Sequence, residues 1–282
     1  RGDEMRFALV GRGGAALLQQ ALDLRHRRRE ILPGAGPARA VDARRAVERV
    51  DHDGSDELEA DEMLECLAEI GVTPSRDAVA AVIAEYRQAA LNAREAGFDG
   101  VELHCTSGYL PMQFMASGSN QRTDHYGGTV ESRVRFPTEV LAAMASAIGA
   151  GRVGFRLCPG NPYNDISDTD PAATAAALCR AVEPLGLAYL HIMRSPVAEL
   201  DAFALARRSS GSGLILNDGF DGASAAAALA AGQGMAVSFA RHFIGNPDLV
   251  ERLRAGLPLA GFDRKTLYTK GSQGYSDYPN HA

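Results

Sequence analysis

The sequence predicts an α/β protein of the (β/α) barrel type, and three observations carry that expectation. Five short apolar runs recur from residue 100 on: GVELH (100–104), VGFRLC (153–158), LAYLHIM (187–193), GLILN (213–217) and MAVSF (235–239). Helical stretches separate them, among them RVRFPTEVLAAMASAIG (133–149), DPAATAAALCRAVEPLG (170–186) and GASAAAALAAG (222–232). Near-continuous apolar strands alternating with helices are the pattern of a parallel sheet covered on both faces. Five such units in a row favour a barrel over a doubly wound sheet.

The elements justify themselves in chain order. Residues 1–40 are rich in Arg, Ala and Gly, with one candidate strand in MRFALVG and a linker in ILPGAGPARA (31–40). The basic cluster Arg25 to Arg29 reads as a solvated helix face in an acidic chain. Residues 41–75 form a separate helical region. From residue 76 to the end, at 282, the pattern becomes regular. Val79, Val82, Ile83 and Tyr86 repeat at helical spacing and give one apolar face. His104 then closes the first strand, and Tyr109 lies in the loop after it. Arg156 sits near the end of the next strand. A guanidinium inside an apolar strand is costly unless it meets an anion or a strong acceptor. In a barrel, function collects where strands end and βα loops begin.

Composition narrows the classes. The net charge of −6 argues against a nucleic-acid surface. No apolar run approaches the ~20 residues of a membrane span, and no signal peptide is visible. Cys66, Cys105, Cys158 and Cys179 are scattered, as expected of reduced thiols in a cytoplasmic protein. The first residue is Arg1, the start expected of a fragment or a trimmed product.

Residues 76–279 resemble the old yellow enzymes, flavin-dependent ene-reductases. The resemblance rests on AALNAREAGFDGVELH (89–104), GYLPMQF (108–114), SNQRTDHYGG (119–128) and RVGFRLCPGNPYNDI (152–166). It continues through AYLHIM (188–193), FARHFIGNPDLVERL (239–253) and GYSDYP (274–279). It implies an eight-stranded (β/α) TIM barrel that holds FMN, takes hydride from NADH or NADPH, and passes it to an activated alkene. By the same resemblance, His104 holds the substrate's electron-withdrawing oxygen, Ser107 is its neighbour in that task, and Tyr109 donates the proton. Arg156 faces the flavin's N1 edge. Gly219, Ala240 and Arg241 hold the phosphate, and Tyr275 lines the substrate cavity.

The departures from the pattern are equally specific. Ser107 stands where Asn or His is usual, Asp218–Gly219 where Gly-Gly is usual, and Ala240–Arg241 where Gly-Arg is usual. The five units match strands four to eight. The Pro-Thr and Gln-x-x-His segments of strands one to three do not occur in residues 1–75. An incomplete barrel with open edges is therefore expected, with a homo-oligomer as one way to close it.

Residues 51–62, DHDGSDELEADE, resemble a single EF-hand loop. Asp51, Asp53, Ser55, Glu57, Glu59 and Glu62 would supply oxygens to calcium. Asp56 replaces the usual glycine at the sharp turn. Two readings follow: an FMN-dependent oxidoreductase with an EF-hand-like appendage, or a calcium-binding protein fused to an inactive barrel remnant.

Overall fold

The computed structural model describes residues 7–10, 75–268, 271–274 and 276–281. The EF-hand-like loop with all its ligands (Asp51, Asp53, Ser55, Glu57, Glu59, Glu62), Cys66 and Tyr275 lie outside these residues. The chain divides into two compact units, residues 1–213 and 214–282.

In the first unit, strand β1 (Phe7–Val10) runs parallel to β2 (Gly100–Cys105), with Phe7 beside Gly100 and Val10 beside Leu103. The candidate strand in MRFALVG is therefore part of the sheet. Next to β2 lies β3 (Val153–Leu157), and next to that β4 (Tyr189–Met193), again parallel. Helix α1 (Arg76–Glu95) precedes β2. It starts where the Ser75 side chain accepts the Ala78 N–H. It ends with Arg94 donating to the carbonyls of Phe98 and Asp99. Its buried face is Val79, Val82, Tyr86 and Ala90.

Between β2 and β3 come α2 (Leu110–Met115), α3 (Val130–Arg133) and α4 (Arg135–Ile148). Helix α4 buries Phe136, Val140, Leu141 and Met144 completely. Phe136 stacks on Phe114 at 4.1 Å and meets the Tyr86 ring edge-on at 6.4 Å. Helix α5 (Pro171–Val182) follows β3; Pro171 sits in its first turn and the Asp170 side chain caps Ala173 N–H. Helix α6 (Ala202–Ser209) follows β4.

The two faces of this sheet differ. Val101, Leu103, Val153, Phe155, Leu190 and Ile192 point to one face and are buried. Glu102, His104, Gly154, Arg156, Tyr189 and His191 alternate with them and form the other face. The strands are apolar on one face only, rather than through their whole length. Cys105, Cys158 and Cys179 are buried free thiols, and burial pushes the Cys179 thiol up to about 12. No helix among the described residues is long and apolar enough to cross a membrane.

The second unit holds β5 (Gly213–Asn217), which opens at the boundary, and β6 (Ala236–Ser238), parallel with Asn217 beside Ser238. The Asn217 amide donates to the carbonyl and the hydroxyl of Ser238, tying the strand ends together. Helix α7 (Gly222–Ala230) starts with a capping box between Asp221 and Ser224. Two short helices, α8 (Arg241–Gly245) and α9 (Leu249–Ala255), close the unit. Every described strand pair is parallel, and helices lie between successive strands, as a barrel-type α/β fold requires.

Candidate active site

Strand register builds the first part of the site. His104 on β2 lies beside Arg156 on β3, which lies beside His191 on β4. One step down the same face are Glu102, Gly154 and Tyr189. The buried Glu102 carboxylate meets His191 Nδ1 at 2.9 Å and also bonds the Tyr189 hydroxyl. Both partners reach across β3 to do so. Gly154 permits this: a Cβ there would stand 2.3 Å from Tyr189 Cζ.

Above this layer, burial pulls the His104 imidazole down from 6.5 to about 4. The Arg156 charge presses the same way, Glu102 opposes it, and His191 adds a little. His104 is therefore neutral at ordinary pH. Its Nδ1 is buried with no hydrogen-bond partner among the described residues. An orphaned ring nitrogen beside a guanidinium marks a face built to receive a polar ligand.

Tyr109 reaches His104 through a left-handed turn. Ser107 (φ 60°) and Gly108 (φ 81°) reverse the chain after β2, and Tyr109 caps the start of α2. The two rings lie 5.2 Å apart, and Tyr109 is 43% exposed. The loop after β3 clamps this turn. Asn164 donates to the Ser107 carbonyl at 2.9 Å, and Asn161 donates to Thr106 Oγ1 at 3.3 Å. At Gly108 a Cβ would press to 2.5 Å from the Asn164 Cβ. The structure thus brings His104, Ser107, Tyr109 and Arg156 to neighbouring strand ends.

In the second unit, Gly219 follows β5, and Ala240 and Arg241 follow β6. Asp218 and Gly219 both take φ 74°, and the Arg241 guanidinium donates to the Asp218 carboxylate. Sequence reasoning missed Glu102, Gly154, Tyr189 and His191. Their signal is a spacing of two: Glu102 with His104, Gly154 with Arg156, Tyr189 with His191. A cavity of about 210 Å³ lies elsewhere, lined by Cys105, Met112, Cys158 and Val197 among others; none of His104, Tyr109 or Arg156 lines it.

Residues 35–260 match the NADH:flavin oxidoreductase / NADH oxidase family. The chain belongs to this family. The match takes in the acidic stretch 51–62 as well as the barrel residues. Among relatives, a probable flavin mononucleotide-dependent alkene reductase of Leishmania infantum is 44% identical over 205 residues, 71% of this chain and 56% of that protein. Putative 12-oxophytodienoate reductase 10 of Oryza sativa subsp. japonica is 39% identical over 211 residues, 70% of this chain and 67% of that protein.

Solved structures agree. Morphinone reductase in complex with tetrahydroNAD superposes with a TM-score of 0.71 at 40% identity, covering 75% of this chain and 58% of that one. The old yellow enzyme from Trypanosoma cruzi gives 0.72 at 36% identity, with the same coverages. The chain spans little more than half the length of most of these relatives, and its fold is of their TIM-barrel type.

The residues present fit a flavin in chemistry. The first unit offers the Arg156 guanidinium and a His104 ring nitrogen with no hydrogen-bond partner among the described residues. The second offers a guanidinium at a strand end, though a carboxylate already holds it.

Proposed function

We propose that this chain carries the reaction site of an FMN-dependent NAD(P)H oxidoreductase that reduces activated alkenes. The row of His104 and Arg156 at parallel strand ends, with the Tyr109 ring beside His104, supports the reading best. When bound, FMN supplies the hydride that it has taken from NAD(P)H. Arg156 places a positive charge beside the ring, where the reduced form gathers negative charge. His104, neutral, donates an N–H to the substrate's carbonyl or nitro oxygen and stabilises the charge that grows there. Ser107 and Tyr275 complete the substrate contacts. Tyr109 delivers the proton to the α-carbon from the exposed side. Gly219, Ala240 and Arg241 take the FMN phosphate.

The same reading places the site in the cytoplasm, acting on a small molecule. It also takes β2 to β6 as strands four to eight of a barrel, closed by a second copy that pairs along an open edge. A strictly monomeric species that still holds FMN in sedimentation would rule out that closure. Calcium binding at Asp51–Glu62 rests on oxygen spacing alone, and a calorimetric titration with calcium chloride decides it: heat at micromolar calcium supports it, none removes it.

The reaction is tested anaerobically. FMN on the protein is reduced with NADPH or NADH, then mixed with 2-cyclohexenone. Reoxidation of the flavin by the enone is expected; a flavin that reacts only with oxygen contradicts the proposal.

A further inference from the structure

We propose that Asp218 is a charge gate on the anion site at Arg241 and weakens the binding of ligands that end in a phosphate monoester. The inference rests on the flavin reading above and specifies how this chain meets the phosphate.

The two segments concerned are neighbours by register. Asn217 pairs with Ser238, so the chain leaves β5 and β6 side by side at one edge. Asp218 and Gly219 follow β5 directly, and Arg241 comes three residues after β6. In barrel folds, loops after the last two strands frequently bind phosphate. A guanidinium there is the natural partner of a dianion, which it engages with two parallel N–H groups.

Here the guanidinium donates to the Asp218 carboxylate instead. The backbone makes this position unusual. Asp218 sits at φ 74°, a conformation that glycine adopts freely and aspartate adopts under strain. The chain keeps a carboxylate where glycine would be easier. The paired charges cancel, so the anion site is neutral rather than cationic.

Magnitude decides between attenuation and blockade. The Arg241 and Asp218 side chains are 58% and 38% exposed. An ion pair that open to water is weak and is broken readily by a competing anion. A bound phosphate must then sit beside a displaced carboxylate in a partly solvated setting, which costs roughly tenfold in affinity. Asp218 therefore narrows the preference for FMN over riboflavin without abolishing flavin binding, and recognition leans on the ring.

The test is flavin fluorescence titration of the full chain with FMN and with riboflavin at low salt. Asp218→Asn removes the charge, keeps the shape, and suits a left-handed backbone. The expected result is FMN bound about tenfold tighter than by the parent, with riboflavin affinity unchanged. Asp218→Gly gives the same pattern and carries the test if the asparagine variant folds poorly by circular dichroism. Unchanged FMN affinity in both variants overturns the inference and leaves the flavin reading standing. Equal gains for both flavins also overturn it, because loop shape rather than charge is then responsible. If parent and variants bind neither flavin, the flavin reading fails and this inference fails with it.

Discussion

Burial and the Arg156 guanidinium press His104 in one direction, from 6.5 to about 4. The folded-state value is the depressed one, so the unfolded chain takes up the proton first as pH falls. The stability this residue contributes is complete above about pH 6.5 and is lost progressively toward pH 4. Discounted for partial exposure, the loss is on the order of 1–2 kcal/mol. Urea unfolding at pH 7 and pH 4.5 should show a larger drop for the parent than for His104→Asn; parallel drops would contradict it. Tyr109→Phe should slow alkene reduction by about a hundredfold or more while flavin reduction by NADPH stays within about twofold. Stopped-flow kinetics of the two half-reactions separates these, and equal losses would remove Tyr109 from the proton-donor role. His104, Tyr109 and Arg156 were legible because each interrupts or follows an apolar run. Glu102, Tyr189 and His191 were not, because their partnership depends on register between strands that are 89 positions apart in the chain at its widest pair.

At the scale of elements, the polar layer depends on Gly154. A methyl group there meets the Tyr189 ring at 2.3–2.4 Å, and the ring cannot swing away without leaving Glu102. Gly154→Ala should destabilise the first unit by about 2 kcal/mol or more, read as a lowered midpoint in urea. An unchanged midpoint would mean that the ring relocates freely. Asp221→Ala removes the side-chain half of the α7 capping box, the carboxylate that accepts the Ser224 N–H, and should cost about 1 kcal/mol. Hydrogen exchange at the first turn of α7 measures it directly, and undiminished protection would contradict it. The five strands from residue 100 on were legible from apolar runs and lie within a residue or two of their expected bounds. The stretch 133–149 read as one helix and is α4 (Arg135–Ile148) within two residues; the short α3 (Val130–Arg133) before it carried no apolar periodicity to announce it. Strand β1 stayed a candidate because its partner, β2, is some 90 residues away, and pairing rather than propensity makes it a strand.

For the whole molecule, family membership and a barrel-type parallel fold are established together by the match over residues 35–260 and by solved structures at 36–40% identity. The sequence motifs made this readable because they sit at strand ends, where the chemistry fixes residue type and the fold fixes spacing. Composition did less, since a net charge of −6 argues only against a nucleic-acid surface and names no cofactor. The central claim is that these strand ends hold FMN. The measurement that tests it most directly is a visible absorption spectrum of the purified protein after incubation with FMN and filtration to remove unbound flavin. The account predicts a retained flavin band at about one FMN per chain, lost on His104→Ala combined with Arg156→Ala. A colourless protein that takes up no FMN would contradict it.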